Sequence, residues 1–372
     1  MQTLFSFLGI LFISASIYAQ EPYTFTKIID LEATPVINQG KTGTCWSFSS
    51  TSFLESEIIR ITGKQIDLSE MFTVRNTYPK KLDNFIMRQG KAQFSEGGLA
   101  HDVLNSVSEY GLVPQEVYSG LLDSNTHNHA ELVSILEAMA KTYISNPAGK
   151  LSNKWKPATE AVLDIYLGKN ISEFSYKGKK YTPKSFLKET KIIPENYFTI
   201  TSFTHAPFYK NFILNIPDNW SNGKMYNVPL NELIDIIDSA LKKGFTLELD
   251  CDISEKTFSS KNGIAIIPTN AENNKKALKA IYPEMNISQT YRQNEYENYT
   301  TTDDHLMHIT GLLHDQNGNK YYKVKNSWGT NAQRNTNEGY VYFSEAYTKL
   351  KTISITLHKD AIPAKTAQKL NI

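Results

Sequence analysis

Apolar side chains recur at helical spacing in the first third of the chain. Between residues 45 and 61 they fall at Phe48, Phe53 and Ile58, and Gly63 follows them. This spacing predicts a helix that ends just before the glycine. The same reasoning predicts four further helices, one beginning near residue 68 and the others over 100–110, 130–144 and 230–242.

The last third of the chain has the pattern of a sheet. Its apolar segments are rich in β-branched and aromatic residues, which predicts strands. These segments are 245–251, 305–314, 321–326, 339–343 and 352–358. A chain that is helical early and β-rich late predicts an α+β fold, with two packed subdomains and a cleft between them.

Composition excludes several classes of protein. Of the 372 residues 40% are hydrophobic, enough for a substantial core, so general disorder is excluded. Lys and Arg number 39 and Asp and Glu 38, which leaves a net charge of +1. This balance gives no electrostatic reason to expect nucleic acid or an anionic membrane surface as a partner.

The N-terminus has the features of a secretory signal peptide. Residues 4–17 are strongly apolar, and small residues precede Ala19. We expect a signal peptide over residues 1–19, cleaved after Ala19, and hence a periplasmic or extracellular protein with no stable membrane association after cleavage. An uncleaved N-terminal anchor is the alternative, although the run is short for a span, which needs about 20 apolar residues.

The chain has two cysteines, and one of them stands in a special place. Cys45 follows a glycine-containing turn and opens the first helix. The free N–H groups and the dipole of a helix start favour an anion, which predicts a lowered thiol pKa and a catalytic thiol. Cys251 lies in an apolar strand, which predicts a buried structural thiol. We expect no metal site and no cofactor, because zinc-ligand spacing is almost absent.

Three further residues complete a chemical arrangement around Cys45. Gln39 lies six residues earlier, from where its amide can fold over the helix start and form an oxyanion hole with the Cys45 N–H. His305 begins one strand and Asn326 ends another. A thiolate–imidazolium pair needs a group that holds the ring, and an Asn carboxamide can do this. Trp328 is placed to shield that hydrogen bond from water.

These residues carry a resemblance to papain-like cysteine peptidases. The similar segments are 39–48, 68–70, 96–98, Asp304-His305 with Gly311, and 326–329, in the order that the family shows. The resemblance implies that Cys45, His305 and Asn326 are catalytic and that Gln39 belongs to the oxyanion hole. It also implies that four other residues contact substrate, namely Gly97, Gly98, Asp304 and Trp328.

The departures from the family pattern indicate a branch. Thr42 stands where typical members have a disulfide cysteine, and 260 residues separate Cys45 from His305, against roughly 130–150 in ordinary members. Several other stretches resemble the bleomycin hydrolase and aminopeptidase C branch: 110–114, 225–230, 244–253 and 305–311.

The branch implies the architecture of the mature chain. We expect one peptidase domain over residues 20–372, with a papain-like fold whose left part is helical and whose right part is barrel-like. A large helical insertion is expected at roughly 121–227, and a C-terminal tail at 358–372.

His305 has a rival in His308. Residues three apart on a strand face opposite sides, so one of the two at most can face the cleft. The preceding Asp304 and the six-residue step to Gly311 favour His305. We interpret His308 as a packed or surface histidine.

The function that follows is hydrolysis of peptide or protein substrates by a cysteine peptidase. In the branch that it resembles, the C-terminal end enters the cleft and restricts cleavage to N-terminal residues, and the protein is a hexamer. Both properties are expected here by resemblance only. The open alternatives are a papain-like endopeptidase, a non-catalytic binding module and a thiol-dependent transferase.

Overall fold

The computed structural model describes residues 21–372, so the expected signal peptide lies outside the described residues. Within this range the α-helices are α1 Cys45–Thr62, α2 Glu70–Met87, α3 Ala100–Tyr110, α4 Ala130–Ser145, α5 Trp155–Leu167, α6 Pro183–Thr190, α7 Leu230–Lys242, α8 Asn274–Ala277, α9 Gln289–Glu297, α10 Glu345–Lys351 and α11 Ala364–Leu370. None of these helices is long and apolar enough to cross a membrane.

The described strands form one large sheet and one hairpin. They are β1 Phe25–Asp30, β2 Phe174–Tyr176, β3 Lys179–Tyr181, β4 Tyr197–Thr201, β5 Asn211–Ile213, β6 Lys224–Asn227, β7 Leu247–Cys251, β8 Phe258–Ser259, β9 Ile264–Ala265, β10 His305–Asp315, β11 Lys320–Lys325, β12 Tyr340–Ser344 and β13 Thr352–His358. The sheet order is β5-β6-β4-β13-β7-β10-β11-β12-β9-β8, with β1 also paired to β10 and with β2-β3 as a separate hairpin.

The chain has two principal cores that correspond to the two predicted subdomains. One joins α1, α2 and α3 to the middle of the chain, and the other joins α7 to the inner faces of β7, β10, β11, β12 and β13. Helix α1 is buried over most of its length and packs against both α3 and β10. Gly63 ends it with φ +69°, a left-handed conformation that favours glycine. The α+β prediction is confirmed.

Strand alternation decides which side chains reach the boundary between the cores. On β7, Leu247 and Leu249 belong to the sheet core, so Glu248 and Asp250 occupy the opposite face. On β10, Met307 belongs to the sheet core and Leu306 to the helical core. The face of the sheet that meets α1 therefore carries buried acidic groups.

The expected insertion at 121–227 is divided in the structure. Its first part is helical, with α4, α5 and α6. Its last part is β-structure, because β4, β5 and β6 extend the main sheet beyond β13. The short, polar sequences of β5 and β6 lack the apolar runs from which β7, β10, β11, β12 and β13 were predicted.

Candidate active site

Cys45 stands at the first position of α1, where the sheet meets the helices. The residue is partly exposed and makes no disulfide. Its sulfur accepts hydrogen bonds from the backbone N–H groups of Trp46 and Leu306. Because Leu306 directly follows His305 on β10, the thiol lies beside the start of that strand.

His305 is buried and its ring is fixed by Asn326. The His305 Nε2 lies 2.8 Å from the Asn326 Oδ1. An amide oxygen can only accept a hydrogen bond, so Nε2 carries the proton and Nδ1 is left with its lone pair. The same Oδ1 accepts from the Ser327 N–H at 2.8 Å, which holds the carboxamide in place.

Trp328 covers this arrangement. Its ring centroid lies 5.0 Å from that of His305, with an angle of 36° between the planes. The expected shielding of the histidine–asparagine hydrogen bond fits this geometry, since the indole occupies space that water would otherwise fill.

Gln39 is held against the same loop. Its N–H donates to the Ser327 carbonyl at 2.9 Å, and its side-chain Oε1 accepts from the Ser327 hydroxyl at 2.5 Å. The Nε2 donates to the Thr42 carbonyl at 2.8 Å. An amide NH₂ carries two hydrogens, so one hydrogen remains for a ligand at the helix start.

Burial dominates the protonation of both candidate reacting groups. It raises the pKa of the Cys45 thiol to about 12 and lowers the pKa of His305 to about 4, against the opposing effect of the hydrogen bond that His305 donates to Asn326. The lowered thiol pKa expected from the helix start is thus outweighed. Transfer of a proton from the Cys45 Sγ to the His305 Nδ1 would create both charges together, and each would then stabilise the other.

Trp46, the residue after Cys45, holds the loop that contains Gly97 and Gly98. The Trp46 Nε1 donates to the Glu96 carbonyl at 2.8 Å, and a Cβ at Gly98 would stand 3.1 Å from the Trp46 ring. A Cβ at Gly97 would stand 1.9 Å from the Asp218 carboxylate. Asp218 therefore lies directly over Gly97, and a side chain at this position would clash with it.

Asp304 directly precedes His305, which begins β10. Its carboxylate accepts from the Thr302 hydroxyl at 2.8 Å and lies near Asp252, which together with burial raises the pKa of Asp304 to about 6. These contacts are with neighbouring loops. Its expected role in substrate binding stays a prediction.

His308 has the packed position that the sequence predicts. It is fully buried on β10, and its Nδ1 lies 3.0 Å from the Ser52 hydroxyl of α1. It therefore helps to attach α1 to the sheet.

Three acidic residues near the thiol were not predicted from the sequence: Asp218, Asp250 and Asp303. The charges of Asp218 and Asp303 both act on the Cys45 thiol, and Asp250 lies beside Asp303. The run Asp303-Asp304-His305 and the polar alternation of β7 were local signals for two of them. Asp218 has no such signal, because it reaches Gly97 only through the tertiary fold.

The C-terminal tail lies on α7. The Thr366 hydroxyl donates to Glu232 of α7 at 2.5 Å, and Lys369 forms a salt bridge with the same carboxylate at 3.4 Å. Leu370 is buried in the sheet core. The tail is thus anchored to a helix of the sheet subdomain, which differs from the cleft position that the branch implies.

Comparison with known families places this geometry in context. The model described as "Papain family cysteine protease" matches residues 27–150, and the "Peptidase C1-like family" model matches residues 169–372, more than half of the chain. The chain belongs to the Peptidase C1-like family. It is therefore a cysteine peptidase, a hydrolase whose relatives act on peptides.

Individual relatives of this Peptidase C1-like protein support the same family assignment. Aminopeptidase C of Listeria monocytogenes is 23% identical over 383 residues, which cover 90% of this chain and 82% of that protein. Cysteine proteinase 1, mitochondrial, of Saccharomyces cerevisiae is 25% identical over 124 residues, 29% of this chain and 26% of that protein. The crystal structure of PepW from Lactobacillus rhamnosis is 18% identical with a TM-score of 0.74, covering 93% of this chain and 84% of that chain.

These comparisons confirm two predictions. The fold is papain-like, as the agreement with PepW shows. The recognition of a papain-like cysteine peptidase of the bleomycin hydrolase and aminopeptidase C branch is also confirmed.

Proposed function

We propose that this cysteine peptidase is an aminopeptidase in which Cys45 is the nucleophile, His305 the general acid and base, and Asn326 the residue that orients the ring. The observation that carries the proposal is the 2.8 Å hydrogen bond from the His305 Nε2 to the Asn326 Oδ1. It leaves the His305 Nδ1 unprotonated, and the Cys45 thiol lies next to the N–H of Leu306, the residue that follows His305.

The proposed reaction has two halves. The Cys45 Sγ attacks the peptide carbonyl while its proton passes to the His305 Nδ1, and the Gln39 Nε2 with the Cys45 N–H stabilises the oxyanion. His305 then gives the proton to the departing amine. A water molecule next loses a proton to His305 and attacks the thioester, which releases the acid and restores the thiol.

Two observations favour an aminopeptidase over an endopeptidase. The Listeria relatives that match most of this chain are named aminopeptidase C. In addition, Asp218 lies over Gly97, so the cleft is narrowed on one side of the thiol. A narrowed cleft disfavours long chains that must extend past the site on both sides.

The test compares alanine 7-amido-4-methylcoumarin with its N-acetylated form, each with and without iodoacetamide. We expect cleavage of the free-amine substrate only, and full loss of this cleavage after alkylation. Cys45→Ala should abolish hydrolysis, whereas Cys251→Ala should keep most of it, because the Cys251 thiol is fully buried.

The alternatives give different results. Cleavage of the acetylated substrate at a comparable rate would indicate an endopeptidase. Hydrolysis by the Cys45→Ala variant would contradict the assignment of Cys45 as the nucleophile. Acyl transfer to an added amine without hydrolysis would indicate a transferase. No reaction with either substrate would indicate a binding module.

We also propose, from residues 1–19, that the protein is exported, and from the branch that it assembles as a homo-hexamer. Fractionation of cells tests the first proposal, since intracellular full-length protein would contradict it. Light scattering on the purified protein tests the second, since a monomeric mass would contradict it.

A further inference from the structure

The start of β10 divides the surroundings of Cys45 into two sides. In the sheet, β11 lies on one side of β10, and β7 followed by β13 lies on the other. Asn326 and Trp328 follow β11 and flank His305 on the first side. On the second side, Asp250 of β7 pairs with Leu306 of β10. These two sides differ in charge.

The side toward β7, which we call the acidic side, is formed by Asp218, Asp250 and Asp303. Asp218 covers Gly97, and Asp303 precedes His305 by two residues. Asp250 is 1% exposed, and its carboxyl group shares a hydrogen bond with that of Asp303. Two carboxyl groups that share a hydrogen bond hold one proton and one negative charge between them, and Asp303 brings this charge close to the Cys45 thiol.

The nearest charges do not neutralise the acidic side. Those that act on Asp303 and Asp250 come from other carboxyl groups. Lys81 faces Asp218 while it donates to the Gly97 carbonyl, and its one positive charge balances only one of the acidic groups. Within residues 21–372 no three His, Cys, Asp or Glu side chains are arranged to hold a metal ion. An organic cation is therefore the occupant that the acidic side suits.

The side toward β11 contains a cavity of about 620 Å³, which we call the basic cavity. Lys41 and Arg334 line it together with Trp328, and among the described residues its lining includes no Asp or Glu. His127 is also in the wall, 6% exposed, with no partner for its Nδ1 within the described range. A cavity of this size accepts a small organic ligand, here one that is anionic.

We propose that the cleft binds short peptides lengthwise, with the free α-amino group at the acidic side and the free α-carboxylate in the basic cavity. A peptide carries a cation at one end and an anion at the other, so this polarity fixes the direction of binding. The inference rests on the proposed function and names its substrate class as short peptides with both ends free.

The experiment measures cleavage of the first peptide bond in trialanine, in its C-terminal amide and in its N-acetyl form, with both products of each substrate quantified by chromatography. We expect the amide and the N-acetyl form each to have a kcat/KM about 10- to 100-fold below that of trialanine, the range for hydrogen bonds to charged groups. N-acetyl-lysyl-dialanine tests whether a side-chain ammonium can replace the α-amino group at the acidic side, and we expect it to be as poor as the N-acetyl form.

Variants test whether the basic cavity causes the preference for a free α-carboxylate and the acidic side the preference for a free α-amino group. Arg334→Gln and Lys41→Gln should lower kcat/KM for trialanine toward that of the amide and leave the amide unchanged. Asp303→Asn should lower kcat/KM for free-amine peptides and leave the N-acetyl form unchanged. Arg88→Gln and Asp83→Asn, at exposed or peripheral positions, are the matched controls, and thermal unfolding establishes that each variant folds.

Several outcomes overturn the inference. Equal rates for trialanine and its amide, or an equal loss for both in Arg334→Gln, would remove the basic cavity from substrate binding. Efficient cleavage of N-acetyl-lysyl-dialanine would show that the acidic side takes a side chain. Cys45-dependent hydrolysis without these preferences would refute this inference alone, whereas loss of hydrolysis for every peptide would refute the proposed function with it.

Discussion

Asp303 shows at the scale of one residue how a binding site can oppose stability. Burial, with Asp218 as the next cause, raises the pKa of its carboxyl group from the ordinary value of 3.8 to about 7. The folded protein therefore holds this proton more tightly than the unfolded chain does. The free energy of unfolding must then fall as the pH rises from about 4 to about 7.

Asp303→Asn should remove this loss of stability. We expect the variant to unfold at a higher temperature than the wild type, and the difference to be larger near pH 8 than near pH 5, because the wild-type carboxyl is charged only at the higher pH. Thermal unfolding of the variant and the wild type at the two pH values measures this difference in unfolding temperature. The control Asp83→Asn, which removes a peripheral pair with Lys156, should show no such pH dependence.

If the variant and the wild type differ in unfolding temperature by the same amount at both pH values, Asp303 ionises normally in the folded state. A stabilised variant that also loses its preference for free-amine peptides would instead show a residue kept for binding at the expense of stability, a trade-off common at functional sites.

At the scale of elements, the site depends on the attachment of α1 to the sheet. Lys325 ends β11 immediately before Asn326 and is almost fully buried. Its Nζ donates to the Ser52 hydroxyl of α1 at 2.7 Å and to the Thr34 hydroxyl at 3.0 Å. Thr34 in turn donates to Glu55 of α1 at 2.5 Å. This network connects the helix that carries Cys45 to the strand that positions Asn326.

Lys325→Met should destabilise the protein by about 3 kcal/mol or more, because it leaves the buried Glu55 without its nearby cation. Burial raises the pKa of Glu55 to about 7, so the double variant Lys325→Met with Glu55→Gln should recover part of the loss. Denaturant unfolding measures both. The exposed pair of Lys27 with Asp30 is the control, and Lys27→Met should cost about 1 kcal/mol or less.

An unchanged free energy of unfolding in Lys325→Met would contradict the structural role of the network. Full stability with reduced hydrolysis would mean that Lys325 acts only through the neighbouring Asn326.

The same elements show what could be predicted from sequence. Helix α1 and strand β10 were predicted closely, because regular apolar spacing and a terminal glycine are local signals. Strands β5 and β6 were missed, since they are short, polar and stabilised by pairing with a distant strand. The position of Asp218 over Gly97 depends on a contact between segments some 120 residues apart, for which no local pattern exists.

At the scale of the whole molecule, the question is which part of the chain closes the cleft. The branch implies the C-terminal tail, but α11 is anchored on α7 through Thr366 and Lys369. The segment that lies over Gly97 comes instead from around Asp218, between β5 and β6. The segment over Gly97 and the C-terminal helix are therefore separate parts of this structure.

Deletion of residues 364–372 should leave the preference for free-amine substrates unchanged while it lowers stability by about 2 kcal/mol or more, as expected from loss of the buried Leu370. The ratio of kcat/KM for alanine 7-amido-4-methylcoumarin to that for its acetylated form measures the first effect.

If the shortened chain does not fold, a variant with a glycine–serine extension after Ile372 tests the same point. A terminus outside the cleft tolerates added residues, so the extension should leave this ratio unchanged. New cleavage of the acetylated substrate by either variant would mean that the tail closes the cleft in solution. An unchanged ratio would leave the segment around Asp218 as the part of the chain that restricts the cleft.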